Sequence, residues 1–97
     1  MTPPFSIRTV SQFDRLLRRL DRQHPELARV YAQALNILRA DPYNLSRQYD
    51  IRKLRGASPE EGGQYRMRLG RFRFRYDIDG RDVVLYDCGL RREDTHR

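Results

Sequence analysis

Lysine is almost absent from this sequence: of its 20 basic residues Lys53 is the only one that is not arginine. Cysteine is nearly absent too. Cys88 stands alone, which excludes an intrachain disulfide and fits a reducing cytoplasm. No apolar run approaches the roughly 18 residues of a membrane span, and no signal peptide is visible. A soluble, cytoplasmic protein with no membrane partner is therefore expected. The two histidines, His24 and His96, lie far from each other and from Cys88, so no metal-ligand spacing exists. Asp77 and Asp79 flank a turn and read as turn chemistry. No metal and no other cofactor are expected. No internal repeat or low-complexity tract is present, and Met1-Thr2-Pro3-Pro4 reads as a loose tip.

What is present is arginine. The formal net charge is +7, on a chain of 97 residues that reads as one domain spanning 1–97. A chain this short buries only roughly 60–65% of its unfolded surface, so its core is modest. Arginine makes bidentate phosphate contacts, stacks on bases, and keeps its charge near neutrality. Its placement is informative: between Gln64 and Tyr76 there are five arginines and no acid. That is the electrostatic footprint of a polyanion binder, RNA before others.

Apolar spacing gives the elements. Phe5 to Val10 alternates and ends in β-branched residues, as a strand does. Ser11 reads as the cap of a helix on which Phe13, Leu16, Leu17 and Leu20 form one stripe, with Arg15, Arg18, Arg19 and Arg22 largely off it. Pro25 reads as the first residue of a second helix carrying Leu27, Val30, Tyr31, Ala34 and Leu38. Asp41-Pro42 ends it. His24 falls at the junction as a cap or linker. Ile51 to Gly56 reads as a short edge segment with Leu54 turned inward, and Ala57 to Gly63 as a loop. Tyr65, Met67 and Leu69 alternate with Arg66 and Arg68; Phe72, Phe74 and Tyr76 alternate with Arg73 and Arg75. Gly70-Arg71 suits a two-residue turn with glycine first, and Asp79-Gly80 is read as another turn. Val83 to Tyr86 is apolar on both sides, as in a strand covered on both faces, and Cys88 is expected to be a buried small hydrophobe. The fold class is thus α+β: a helical hairpin packed on one face of a small, mainly antiparallel twisted sheet, in the order β-α-α-β-β-β. The helices should cover the face bearing Met67, Leu69, Phe72 and Phe74.

The Gly70-Arg71 turn sets Arg68 opposite Arg73 and Arg66 opposite Arg75. Like charges directly opposite destabilise a sheet, and selection for stability alone would avoid two such rows. Four guanidinium groups on one face make sense if an anion sits there; the competing account is that carboxylates such as Asp82 or Asp87 neutralise them. After the last strand, Gly89-Leu90-Arg91-Arg92 can bring Arg91 or Arg92 to the rim, with His96 nearby.

The run Lys53-Leu54-Arg55-Gly56, then Gln64 to Gly70, then Phe72-Arg73-Phe74-Arg75-Tyr76-Asp77-Ile78, then Gly89 to Thr95, resembles the RelE/ParE superfamily of type II toxins over almost the whole chain. The resemblance implies a compact sheet with two N-terminal helices. It also implies a cognate antitoxin that neutralises the toxin within a toxin–antitoxin hetero-oligomer. In the RelE branch it implies ribosome-dependent cleavage of mRNA in the 30S decoding site and hence inhibition of translation; in the ParE branch, poisoning of DNA gyrase. By position, the catalytic arginines of the RelE branch fall on Arg66, Arg68, Arg73 and Arg91 or Arg92. The aromatic acid/base position near the C-terminus, commonly tyrosine, falls on His96, a departure from the pattern. Arg52, Lys53, Arg55, Arg71 and Arg75 are the further residues expected to hold nucleic acid.

Chemistry points the same way. RNA is cleaved without metal when a 2′-hydroxyl attacks the adjacent phosphate. Fixed arginines stabilise the charge that develops. They do not exchange protons near neutrality, whereas an imidazole of ordinary pKa about 6.5 does. His96 is the first candidate for that role, ahead of Tyr65 and Tyr86; the alternative is a solvated tail residue. The expected function is a metal-independent mRNA endonuclease toxin. The alternatives are a gyrase inhibitor and a degenerate family member that binds nucleic acid without activity.

Overall fold

A computed structural model describes residues 4–56 and 63–91. The N-terminal residues 1–3, most of the expected loop (57–62), and residues 92–97 with Arg92 and His96 lie outside the described residues.

Seven elements follow in order: β1 (Ser6–Thr9), α1 (Ser11–Gln23), α2 (Leu27–Ala40), β2 (Asp50–Lys53), β3 (Tyr65–Leu69), β4 (Phe72–Asp79) and β5 (Asp82–Leu90). The α+β class holds, and the strand count is corrected. The segment expected only as an edge piece is a strand in its own right, giving five strands in the order β1-β5-β4-β3-β2. The sheet is antiparallel except that β1 runs parallel to β5. β2 escapes the alternation signal because it is four residues long and charged at Asp50, Arg52 and Lys53, which is how an edge strand resists pairing with another chain.

The helix boundaries shift in two places. Val10 is the N-cap of α1 and Ser11 its first residue, with no side-chain cap. Pro25 sits in the turn before α2. The Leu27 N–H bonds to the His24 carbonyl at 2.9 Å, and Glu26 is the N-cap. α2 ends at Asp41, before Pro42, as the proline requires. The Asp41 carboxylate then accepts from the Leu45 N–H (2.8 Å), the Ser46 N–H (3.2 Å) and the Ser46 hydroxyl (2.7 Å), fixing the loop that leads to β2.

The core is the layer between helices and sheet. Phe13 of α1, Leu27, Ala34 and Leu38 of α2, and Met67, Phe72, Phe74, Tyr76, Val83, Leu85 and Cys88 of the sheet form one buried cluster. The Phe13 ring lies 6.0 Å from Tyr31, and Tyr31 lies 6.1 Å from Phe74, so one aromatic chain runs through both helices into β4. Each large apolar side chain fully buried here contributes about 1.5–3 kcal/mol. The Tyr76 hydroxyl, within this layer, donates to the Pro42 carbonyl at 2.7 Å. Val84, directed away from Val83 and Leu85, is also buried, as the two-sided apolar run anticipated. Among the described residues no helix is long and apolar enough to cross a membrane.

Candidate nucleic-acid interface

Because successive side chains of a strand alternate between faces, packing Met67, Phe72 and Phe74 against the helices sends the residues between them to the opposite face. The register is the one the Gly70-Arg71 turn implies. Gly70 has φ +60°, the positive value that the first position of a type II′ turn takes. Arg68 stands directly opposite Arg73, and Arg66 opposite Arg75. On the outer side, Arg52 of β2 is opposite Arg66 and Asp50 is opposite Arg68. On the inner side, Asp87 of β5 is opposite Arg75 and Gly89 is opposite Arg73. Alternation along β4 also puts Asp77, opposite Val84, on this side two residues beyond Arg75. The β2–β5 face therefore carries five arginines against three aspartates, of which Asp50 and Asp87 pair diagonally. Arg73 Nη1 lies 3.0 Å from Asp87 Oδ2, and Arg66 Nη2 lies 3.8 Å from Asp50 Oδ1.

The neutralising account is thus met in part, by Asp87 and by Asp50. Asp82 is engaged elsewhere: with Asp79 it flanks the Gly80-Arg81 turn, and both face Arg8, at 3.3 and 3.7 Å. That turn is centred one residue later than the Asp79-Gly80 expected.

Two devices hold the arginines in place. Arg75 Nη2 donates to the Gly63 carbonyl at 2.6 Å. Gly63 has φ +94°, and a Cβ there would stand 2.6 Å from the Tyr76 carbonyl oxygen, so both backbone conformation and space require glycine. The guanidinium of Arg73 lies over Gly89, with Nη2 3.1 Å from where a Cβ would be. Arg66 is well enclosed: its side chain is 17% exposed, and Nε is buried without a hydrogen-bond partner among the described residues. Burial pushes its pKa below the ordinary value. The neighbouring charges of Arg68, Arg52 and Arg91 push the same way, and Asp50 opposes them.

Not every expected residue joins this face. Arg52, Arg66, Arg68, Arg73 and Arg75 do. Arg91 stands at the end of the β3–β4 hairpin, its N–H bonded to the Arg71 carbonyl at 2.9 Å and Nη1 to the Gly70 carbonyl at 3.1 Å. Arg71 turns toward the helices and pairs with Glu26 at 3.2 Å. Arg55 is exposed in the turn after β2. Lys53 is opposite Tyr65, on the helix side of the sheet, with Nζ 5.8 Å from the Tyr65 ring centroid. Tyr65 faces that side too, stacked on Tyr76 at 5.4 Å, and burial raises its pKa. It is separated from the arginines by the sheet itself. Tyr86 is the unpaired residue where the β4–β5 register slips, between Leu85 on the core side and Asp87 on the arginine side. His24 caps α1 on the helix side of the sheet, with its ring 5.8 Å from Phe72 and Nδ1 3.9 Å from the Glu26 carboxylate that Arg71 also meets. Cys88 is buried with its thiol pushed up to about 12 by burial and then by Asp87, and is unsuited to nucleophilic work.

Sequence reasoning missed Asp50 and Gly63, and left open whether Asp87 faced the arginines. The β2 register reveals the first, a close backbone approach the second, and the bulge at Tyr86 the third. Compared with family models, curated proteins and solved structures, the chain matches none of them.

Proposed function

We propose that the outer face of β2–β5 grips an RNA backbone, and that the protein is a toxin of the RelE type, an mRNA endonuclease acting in the cytoplasm on the ribosome and neutralised by a cognate antitoxin. The observation that carries this is the pair of like-charged rows, Arg68 opposite Arg73 and Arg66 opposite Arg75. Five arginines outnumber Asp50, Asp77 and Asp87 on this face, which leaves a surplus of guanidinium donors that phosphates would complete. The helical hairpin on the other side of the sheet agrees with the family resemblance.

In the proposed reaction the 2′-oxygen bonds to phosphorus and the bond from phosphorus to the 5′-oxygen breaks. One proton leaves the 2′-hydroxyl and one is delivered to the departing 5′-oxygen, giving a 2′,3′-cyclic phosphate and a 5′-hydroxyl. Arg66, Arg68, Arg73 and Arg91 stabilise the pentavalent phosphorane, with Arg92 as the alternative to Arg91. His96 is assigned the proton transfers, since imidazole as a side-chain type exchanges protons in both directions near neutrality.

The test is primer extension on a reporter mRNA after induction, comparing wild type with Arg68→Gln/Arg73→Gln, beside a gyrase supercoiling assay. New 5′ ends with wild type and none with the variant are expected. Intact mRNA with inhibited supercoiling would overturn the assignment in favour of a gyrase-directed toxin, and no effect in either assay would leave an inactive binder.

A further inference from the structure

The helix layer carries a second basic surface that the proposed endonuclease site does not use. Arg15, Arg18, Arg19 and Arg22 of α1 fall at i, i+3, i+4 and i+7, and all four are exposed. At about 100° per residue their stripe lies diametrically opposite the Phe13, Leu16, Leu17 and Leu20 stripe that faces the sheet. The four together line one shallow depression of about 200 Å³. The acids of the helix do not enter it. Asp14 and Asp21 lie to one side, toward α2: Asp14 acts on the Tyr31 hydroxyl, and Asp21 lines the groove shared with Leu27, Ala28 and Tyr31, whose edge Arg18 also lines. Ion pairs among the described residues go to Arg8, His24, Arg66, Arg71 and Arg73, and to none of these four.

A helix face kept only for solubility interleaves both signs, so that i,i+4 pairs support the helix. Here Asp14 supports Arg18 at i,i+4 and Asp21 stands i+3 from it, yet Arg15 and Arg19, and Arg18 and Arg22, remain like-charged i,i+4 pairs that oppose the helix. Their retention asks for an external anion. The surroundings narrow its chemistry. Among the described residues the exposed large hydrophobic side chains, Tyr43, Leu45 and Leu90, all lie outside α1. Tyr31, in the groove that Arg18 also lines, is half-buried, so the stripe offers no open ring for unpaired bases to stack on. What the stripe offers is a rail of guanidinium groups about 10 Å long. We infer that this stripe is a docking surface for the phosphate backbone of double-stranded RNA, read by charge and shape rather than sequence. It lies on the layer opposite the sheet arginines, so one molecule can rest on a duplex with α1 while the sheet face engages a second strand.

The experiment measures binding of purified protein to a short mixed-sequence RNA duplex and to an oligouridylate of the same length, across about 50 to 200 mM salt. Three proteins are compared with wild type: Arg15→Gln/Arg18→Gln/Arg19→Gln/Arg22→Gln, the same four positions changed to lysine, and Arg68→Gln/Arg73→Gln. The glutamine variant of α1 is expected to bind the duplex at least about tenfold more weakly at low salt, with a salt slope reduced by about two or more, since each phosphate contact contributes close to one. The lysine variant should keep the slope, and circular dichroism should show the glutamine helix intact or more stable. Unchanged duplex binding by the glutamine variant would overturn the inference, as would an equal loss on oligouridylate. The sheet variant separates the two proposals: if it alone loses oligouridylate, both stand, and if it binds both RNAs like wild type, the sheet assignment fails while the α1 result is judged on its own.

Discussion

The guanidinium of Arg73 lies across the backbone of Gly89 on the neighbouring strand, near enough that a methyl group there would stand 3.1 Å from Nη2. From that position Arg73 reaches Asp87 with Nη1 at 3.0 Å. Gly89 therefore sets the height of an arginine above the sheet. Gly89→Ala should displace the far end of a flexible side chain rather than the backbone. Thermal unfolding should show stability unchanged or raised by up to about 1 kcal/mol, because alanine is the better strand residue. RNA affinity should fall in the same preparation. An alanine protein that unfolds, or that binds RNA like wild type, would contradict this role.

Much of this face is legible in the sequence because one turn fixes it. Gly70-Arg71 sets the β3–β4 register, and alternation then places Arg66, Arg68, Arg73 and Arg75 together and Tyr65, Met67 and Leu69 on the core side. Asp87 is not legible in that way. Strict alternation from Leu85 would send Asp87 into the core and Cys88 out; the extra residue at Tyr86 reverses both. Lys53 and Arg52 are adjacent in a basic run, yet the β2 register separates them to opposite faces, and a four-residue edge strand has too little periodicity to announce it. Gly63 depends on contact with Tyr76, distant in sequence, and so carries no local signal.

Arg66 should be the arginine whose loss costs the fold least for its degree of burial. Its Nε is buried without a hydrogen-bond partner among the described residues, and its ion pair with Asp50 is long at 3.8 Å. Replacing an enclosed, poorly paired charge with an apolar group of similar volume is often neutral or stabilising by about 1–4 kcal/mol. Arg66→Met should therefore denature at an equal or higher urea concentration than wild type while RNA cleavage is lost. A loss of stability greater than about 1 kcal/mol would mean that the Asp50 pair matters more than its geometry indicates.

Acid should loosen the loop after α2. Burial pushes the Asp41 pKa up, but bonds from the Ser46 hydroxyl and the Leu45 and Ser46 backbone outweigh it, so the folded value lies below the ordinary one. A carboxyl depressed in this way contributes stability that is fully present above its unfolded pKa, about 3.9, and is lost as pH falls through the lower folded value. The stability gap between wild type and Asp41→Ala should be constant above about pH 5 and shrink below about pH 4. A gap that widened with acid would contradict the sign.

If Arg68 and Arg73 of the sheet meet phosphates, the salt dependence of RNA binding reports it most directly. The slope of log affinity against log salt counts the phosphates neutralised, at about 0.7 per contact on a single strand. Wild type and Arg68→Gln/Arg73→Gln should be titrated with the same single-stranded RNA over the same salt range. A slope shallower by about 1.4 in the variant, with an unfolding temperature no lower than that of wild type, is the result predicted. Parallel lines for the two proteins would contradict it.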